Sequence, residues 1–230
     1  MKTFAEIAAS LVRRPPELAP EPAFECAQCL DRGWYSEPAR RCLCYLAKPI
    51  EERLAKAGVG KDLLGASWQT RTGGSKPAKL ATFPDPDSTV TLMGPVGTGK
   101  SHVAVALLRD WLIAGGSGRY LEASALIAEC RNCYDRGEQQ DAVILRYLRP
   151  GLLVLDDAWS DRPTELADDV VSILIRRRLR DRLPTVITTN LDAVLLYRTE
   201  PRICSRVMGT GALIFNFEGL PDHRQAGGPQ

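Results

Sequence analysis

The sequence predicts an α/β fold: a central parallel sheet with helices on both faces, preceded by a small cysteine module. Three observations predict it. From Thr89 onward, short β-rich runs (TVTLM, GRYLEA, LLVL, TVITT, ALIFNF) alternate with helical segments, the order that builds a parallel sheet. A glycine-rich turn, GPVGTGKS, stands between the first run and a long helix. Upstream, four cysteines fall into two close pairs.

The 230 residues carry a net charge of +2, with 44% apolar and 25% charged residues. That composition excludes wholesale disorder and suffices for a sizeable core. A nucleic-acid role would have to rest on a local patch rather than on bulk charge. The longest aliphatic run, Val103 to Leu108, falls far short of the roughly 20 residues that cross a bilayer. The N-terminus also lacks the apolar stretch of a secretory signal. No membrane contact and a cytoplasmic location are therefore expected.

In chain order, residues 2–14 read as a short helix ended by Pro15 and Pro16, because proline cannot continue a helix. The cysteine module follows at 23–46. Pro49 sits well in the first turn of a helix running to about Ala57, before Gly58. Gly73, Gly74, Pro77, Pro84 and Pro86 mark residues 65–88 as a linker. The expected division is thus 1–64, a linker at 65–88, and a sheet domain at 89–230. Within the last, TVTLM is a strand, and HVAVALLRDWLIAG is a helix closed by Gly115 and Gly116. GRYLEA is a strand, 123–135 and 138–148 are helices, and LLVL at 152–155 is a buried strand. A helix at 164–180, the strand TVITT ending at Asn190, and the strand at 212–217 complete the pattern.

Seven cysteines without a secretory signal argue for a reducing compartment. Cys26, Cys29, Cys42 and Cys44 read C-x2-C followed by C-x-C. Four soft thiolates suit tetrahedral Zn²⁺ and leave no open position for catalysis. Free cysteines or a redox pair are the alternatives. Cys130 and Cys133 also have C-x2-C spacing, but they lie in an amphipathic helix without a second pair nearby. They read as core residues, as does Cys204.

Gly94-Pro95-Val96-Gly97-Thr98-Gly99-Lys100-Ser101 matches the phosphate-loop pattern in full, between a strand and a helix. Glycines let backbone N–H groups close around phosphates, and the helix N-terminus adds partial positive charge. Lys100 should reach the β- and γ-phosphates, and the Ser101 hydroxyl should ligate Mg²⁺. Thr98 and Gly99 add backbone donors. In LLVLDD, Asp156 emerges at the carboxyl edge of the sheet, where such folds bind ligands. It is the expected Mg²⁺-side carboxylate, and Asp157 would orient the attacking water. Asn190, at the end of TVITT, reads either as an amide near the γ-phosphate or as a turn residue. Arg176, Arg177, Arg178, Arg180 and Arg182 crowd one helix end. They read either as a solvated terminus or as contacts to a DNA backbone.

GPVGTGKSH, LLVLDD and LPTVITTN, in this order, resemble the AAA+ ATPases of the DnaC/DnaI helicase-loader and IstB-like group, over about residues 89–224. The group often carries an upstream CxxC…CxC segment with D-x-G after the first pair. Here that segment is Cys26, Cys29, Asp31, Gly33, Cys42 and Cys44, which strengthens the zinc reading. The resemblance implies an AAA+ domain whose phosphate side includes Pro95 and His102, with Asp156 and Asp157 as the Walker B pair and Asn190 as the first sensor. Arg206 would be the arginine finger, with Arg202 as fallback, and Arg224 a second sensor. Ala158-Trp159 departs from the Leu-Gly often found there, the linker looks short, and the sequence after Arg224 leaves no room for a helical lid. The implied activity is slow ATP hydrolysis that loads a DnaB-type replicative helicase onto single-stranded DNA, in a bacterial or phage-infected cell. The protein would work as a homo-oligomer on helicase or DNA. The alternatives are an IstB-like transposase helper and a non-hydrolysing zinc and nucleotide adaptor.

Overall fold

The structure, a computed structural model, describes residues 26, 28–29, 32–35, 40–71, 75–80, 83, 89–133, 136–159, 165–199, 201–209 and 212–223. The helix expected at 2–14 lies outside them. The chain divides into two compact units, Met1–Tyr45 and Leu46–Gln230.

In the first unit, β1 (Trp34–Tyr35) pairs antiparallel with β2 (Arg40–Arg41), Trp34 opposite Arg41. A short helix, α1 (Leu43–Ala47), begins directly after Cys42. Gly33 has φ of 68°, and a Cβ there would meet the Tyr45 ring at 3.1 Å. Its left-handed backbone and its place against the ring both favour glycine.

The second unit contains α2 (Ile50–Lys56). The strands are β3 (Thr89–Met93), β4 (Gly118–Glu122), β5 (Leu152–Asp156), β6 (Thr185–Thr189) and β7 (Ala212–Asn216). The helices between them are α3 (Lys100–Ile113), α4 (Ala123–Asn132), α5 (Gln140–Arg146), α6 (Glu165–Arg180), α7 (Ala193–Thr199) and α8 (Pro201–Val207). The five strands form one parallel sheet in the order β4-β5-β6-β3-β7. Every residue of β3, β5 and β6 is buried, as expected of a sheet covered on both faces.

Alternation along the strands distributes side chains to two cores. Leu152 and Val154 of β5 join Val90, Leu92 and the inner face of α3. Leu153 and Leu155 join Leu126, Leu174, Ile175 and Leu196 on the opposite face. Truncating one of these fully buried leucines to alanine costs about 2–5 kcal/mol. Cys130 and Cys133 are fully buried in the second core and Cys204 is largely so, matching the packing role read from the helix pattern.

The boundary differs from the one composition suggests. The contact boundary falls at Tyr45–Leu46, upstream of the expected linker at 65–88. Ala66, Trp68, Leu80 and Phe83, all in that stretch, are buried against Leu54 and the α3 face. A stretch rich in glycine and proline can still carry apolar side chains with a surface to cover. Helices α7 and α8 were not anticipated, being one to two turns long and weakly periodic. Among the described residues no helix follows β7, and none is long and apolar enough to cross a membrane.

Candidate nucleotide site and cysteine cluster

The strand order decides where the site forms. β6 lies between β3 and β5, so the loop after β3 and the acids after β5 meet across the end of β6. This crossover point is where open α/β sheets bind ligands. The resulting cleft has a volume of about 680 Å³ and is lined by Gly97, Thr98, Gly99, Lys100 and Ser101 of the loop, with Asp156, Asp157, Thr188 and Asn190 facing them. The structure therefore brings these sequence-selected residues together.

Within the loop, Gly94, Gly97 and Gly99 have φ of 134°, 81° and 90°, left-handed conformations that a side chain disfavours. Gly99 caps α3 without a side-chain hydrogen bond, leaving first-turn N–H groups available to an anion. Lys100 is buried, and its Nζ donates to Gly94 O at 2.7 Å and Pro95 O at 2.6 Å. The ammonium is thus folded onto its own loop. Thr98 Oγ1 donates to Pro95 O at 2.8 Å and closes the turn.

Asp156 is 7% exposed. Its Oδ1 accepts from Thr188 Oγ1 at 2.6 Å and its Oδ2 from the Tyr120 hydroxyl at 2.5 Å. Burial, then the neighbouring carboxylate, pushes the Tyr120 phenol far above its usual range, so Tyr120 remains a donor. Asp157 is exposed, with φ of 53°. Its N–H donates to Thr188 Oγ1 at 2.9 Å, and its Oδ1 accepts from Asn190 Nδ2 at 2.7 Å. Asn190 is therefore joined to the outer acid as well as facing the cleft.

His102 lines the cleft but turns toward the preceding segment. Its Nε2 lies 2.9 Å from Ser67 O and 3.2 Å from Thr70 Oγ1. Thr70, Arg71 and Leu63 line the cleft too, and His223 reaches it by donating its N–H to Gly97 O at 3.0 Å. Sequence reasoning missed Tyr120, Thr188, Thr70 and Arg71. Of these, only Thr188 carried a signal, as one of three threonines in the otherwise apolar run TVITT. The side chains of Arg202 and Arg206, on α8, and all of Arg224 lie outside the described residues.

A hard ion such as Mg²⁺ takes oxygen ligands, and the Ser101 hydroxyl and Asp156 carboxylate, both lining the cleft, are groups that could hold one. In the first unit, Cys26, Cys29, Cys42 and Cys44 place their sulfurs within 4.8 Å of one another. Cys26 and Cys42 sulfurs are 3.8 Å apart, and those of Cys29 and Cys44 3.4 Å. A tetrahedron with arms of about 2.3 Å has edges close to this, so the cluster fits a metal ion. Gly33 N–H donates to Cys29 Sγ at 3.3 Å. Hydrogen bonds from Cys29 and Cys42 lead the effects that push the Cys44 thiol well above its ordinary range. A bound cation would reverse that by stabilising the thiolates.

The arginine cluster separates into two faces. Arg178 is fully buried and donates to Tyr147 O, Pro150 O, Gly151 O, Pro184 O and Thr185 Oγ1. It is therefore not a surface contact for DNA. Arg176, Arg177 and Arg180 line an open groove with Ile173, and Arg177 and Arg180 pair with Asp141 and Asp181.

The family model described as IstB-like ATP binding protein matches residues 71–194, more than half of the chain. An ATP-binding protein in an insertion sequence of Mycobacterium tuberculosis is 33% identical over 108 residues, which are 46% of this chain and 42% of that protein. The match thus spans less than half of that relative's length. In fold, the chain is similar to the DnaC helicase loader (TM-score 0.58, 23% identity, 68% of this chain and 99% of that one). It is also similar to DnaI (TM-score 0.56, 19% identity, 72% and 94%). Parallel sheet, phosphate loop and matched sequence lead to one conclusion: the chain belongs to the IstB-like ATP-binding family, with the AAA+ P-loop fold.

Proposed function

We propose that the protein is an ATPase that loads a DnaB-type replicative helicase onto single-stranded DNA. The observation that carries the ATPase reading is the meeting of Lys100, Ser101, Asp156, Asp157 and Asn190 in one cleft. Loop N–H groups and Lys100 bind the phosphates, the ammonium leaving its loop carbonyls to do so. Ser101 and Asp156 would hold Mg²⁺, which when bound neutralises charge on the β- and γ-phosphates. Asp157, exposed and fixed by Asn190, accepts a hydrogen bond from the attacking water and aligns it. Arg206 (or Arg202) would act on a neighbouring copy's site and Arg224 on the bound nucleotide, in an oligomer assembled on helicase or DNA.

The four-cysteine cluster would hold Zn²⁺ and make the first unit a docking element for the helicase. A module this small depends on such a staple. The DnaC and DnaI fold likeness supports the loader reading. The insertion-sequence relative supports a second, in which the same ATPase assists a transposase on duplex DNA.

The test is ATP turnover with Mg²⁺, alone and with single-stranded DNA and a replicative helicase. Pull-downs against a helicase and a transposase run alongside. Turnover stimulated by helicase and single strands, with helicase capture, is expected. Capture of transposase alone would select the second reading. No ATP affinity at all would end both.

A further inference from the structure

The buried acid of the cleft is gripped from both sides by neutral donors. Thr188 belongs to β6 and approaches Asp156 Oδ1, while Tyr120 belongs to the edge strand β4 and approaches Oδ2. Tyr120 lies opposite Val154 in the sheet register, two residues before Asp156, so its ring runs along the sheet face toward the cleft end. Its backbone is clamped from outside the sheet. Tyr120 N–H donates to Ala57 O at 2.8 Å. Gly58, with φ of 100°, follows in the same turn, and a Cβ there would come within 2.7 Å of Tyr120 O. Glycine is what lets the end of α2 close on the edge strand. Tyr120 is 5% exposed and packs in the core shared by Leu54, Val59 and α3. The hydroxyl is thus delivered to Asp156 by a side chain fixed at both ends.

We propose that Tyr120 is a positioning residue for the magnesium carboxylate, fixing the orientation of Asp156 through its hydroxyl; this rests on the Mg²⁺-ATP reading of the cleft. A carboxylate has about four lone-pair sites. Tyr120 and Thr188 occupy two, one on each oxygen, and leave the others for the ion or its water. The torsion that turns a carboxylate about its bond to Cβ is soft and roughly two-fold, so one donor alone does not fix it. Donors that orient a metal-binding carboxylate typically govern 10–100-fold of metal affinity. Phenylalanine keeps the packed ring and removes only the donor, so it isolates this effect.

The experiment measures equilibrium ATP affinity by calorimetry across a Mg²⁺ titration and in EDTA, for wild type, Tyr120→Phe, Asp156→Asn and the double variant. Tyr120→Phe is expected to raise the Mg²⁺ concentration for half-maximal enhancement about tenfold or more, with affinity in EDTA within twofold of wild type. In the Asp156→Asn background, Tyr120→Phe should add less than twofold, because the two groups act as one unit. An unchanged Mg²⁺ response in Tyr120→Phe overturns the inference alone. So does an equal loss of affinity with and without Mg²⁺, the mark of a merely structural role. A wild type whose ATP affinity ignores Mg²⁺ overturns both the inference and the reading beneath it.

Discussion

Replacing Arg178 by methionine should destabilise the second unit by about 3–5 kcal/mol without weakening binding to DNA. The side chain is 0% exposed and has no carboxylate among the acceptors of its five hydrogen bonds. Four of those acceptors are carbonyl oxygens, those of Tyr147, Pro150, Gly151 and Pro184. Burial lowers the guanidinium pKa to about 10, which still leaves it charged near neutrality. Pro184 O also accepts from Leu153 N at 3.2 Å, so three carbonyls depend most on the arginine. Each buried acceptor left without its donor costs about 1–3 kcal/mol, and release of the desolvated charge offsets part of the total. Methionine fills much of the volume, which keeps the cavity cost small. At about 2–4 °C per kcal/mol for a chain of this size, the midpoint of thermal unfolding should fall by about 10 °C. Denaturant titration followed by circular dichroism reads the loss directly. Arg178→Lys should recover part of it, since lysine keeps the charge but offers three donors. A loss below about 1 kcal/mol for Arg178→Met, or weakened DNA binding in a fully folded variant, would refute the buried structural role of Arg178.

Other expectations follow from the same geometry. Lys100→Ala should reduce ATP affinity at least tenfold in equilibrium binding, because its ammonium is the cation set within the loop. Asp157→Ala should retain ATP affinity within a few-fold and lose turnover by about 10²-fold or more, read in steady-state phosphate release. Cys42→Ser should lower the zinc content of purified protein below that of wild type; unchanged content per chain would remove the zinc assignment. Burial, then Glu129, raises the Tyr147 pKa to about 12. The unfolded chain, titrating near 10, thus releases this proton first, and stability should decline between about pH 10 and 12. Tyr147→Phe should flatten that limb of the stability profile.

The phosphate loop, both acids, Asn190 and the cysteine quartet were legible in the sequence because each is a local pattern. A loop that wraps phosphates needs glycines at fixed spacing, a dry strand followed by two acids demands an explanation, and thiolates gather where a metal can hold them. The alternation of strand and helix fixed the layer architecture for the same reason. Tertiary structure alone decided what these patterns meet. The placing of β6 between β3 and β5 brings Asp156 opposite Lys100, and no periodicity encodes strand order. Of five clustered arginines, helix rotation turned Arg178 inward onto carbonyls and left Arg176, Arg177 and Arg180 on an outer groove. Tyr120 and Thr188 became partners of one carboxylate because neighbouring strands set them beside it, 36 and 32 residues away along the chain. Local sequence dictates conformation and chemistry residue by residue. Which groups come within hydrogen-bonding reach is settled by long-range packing, where most buried polar groups are paired.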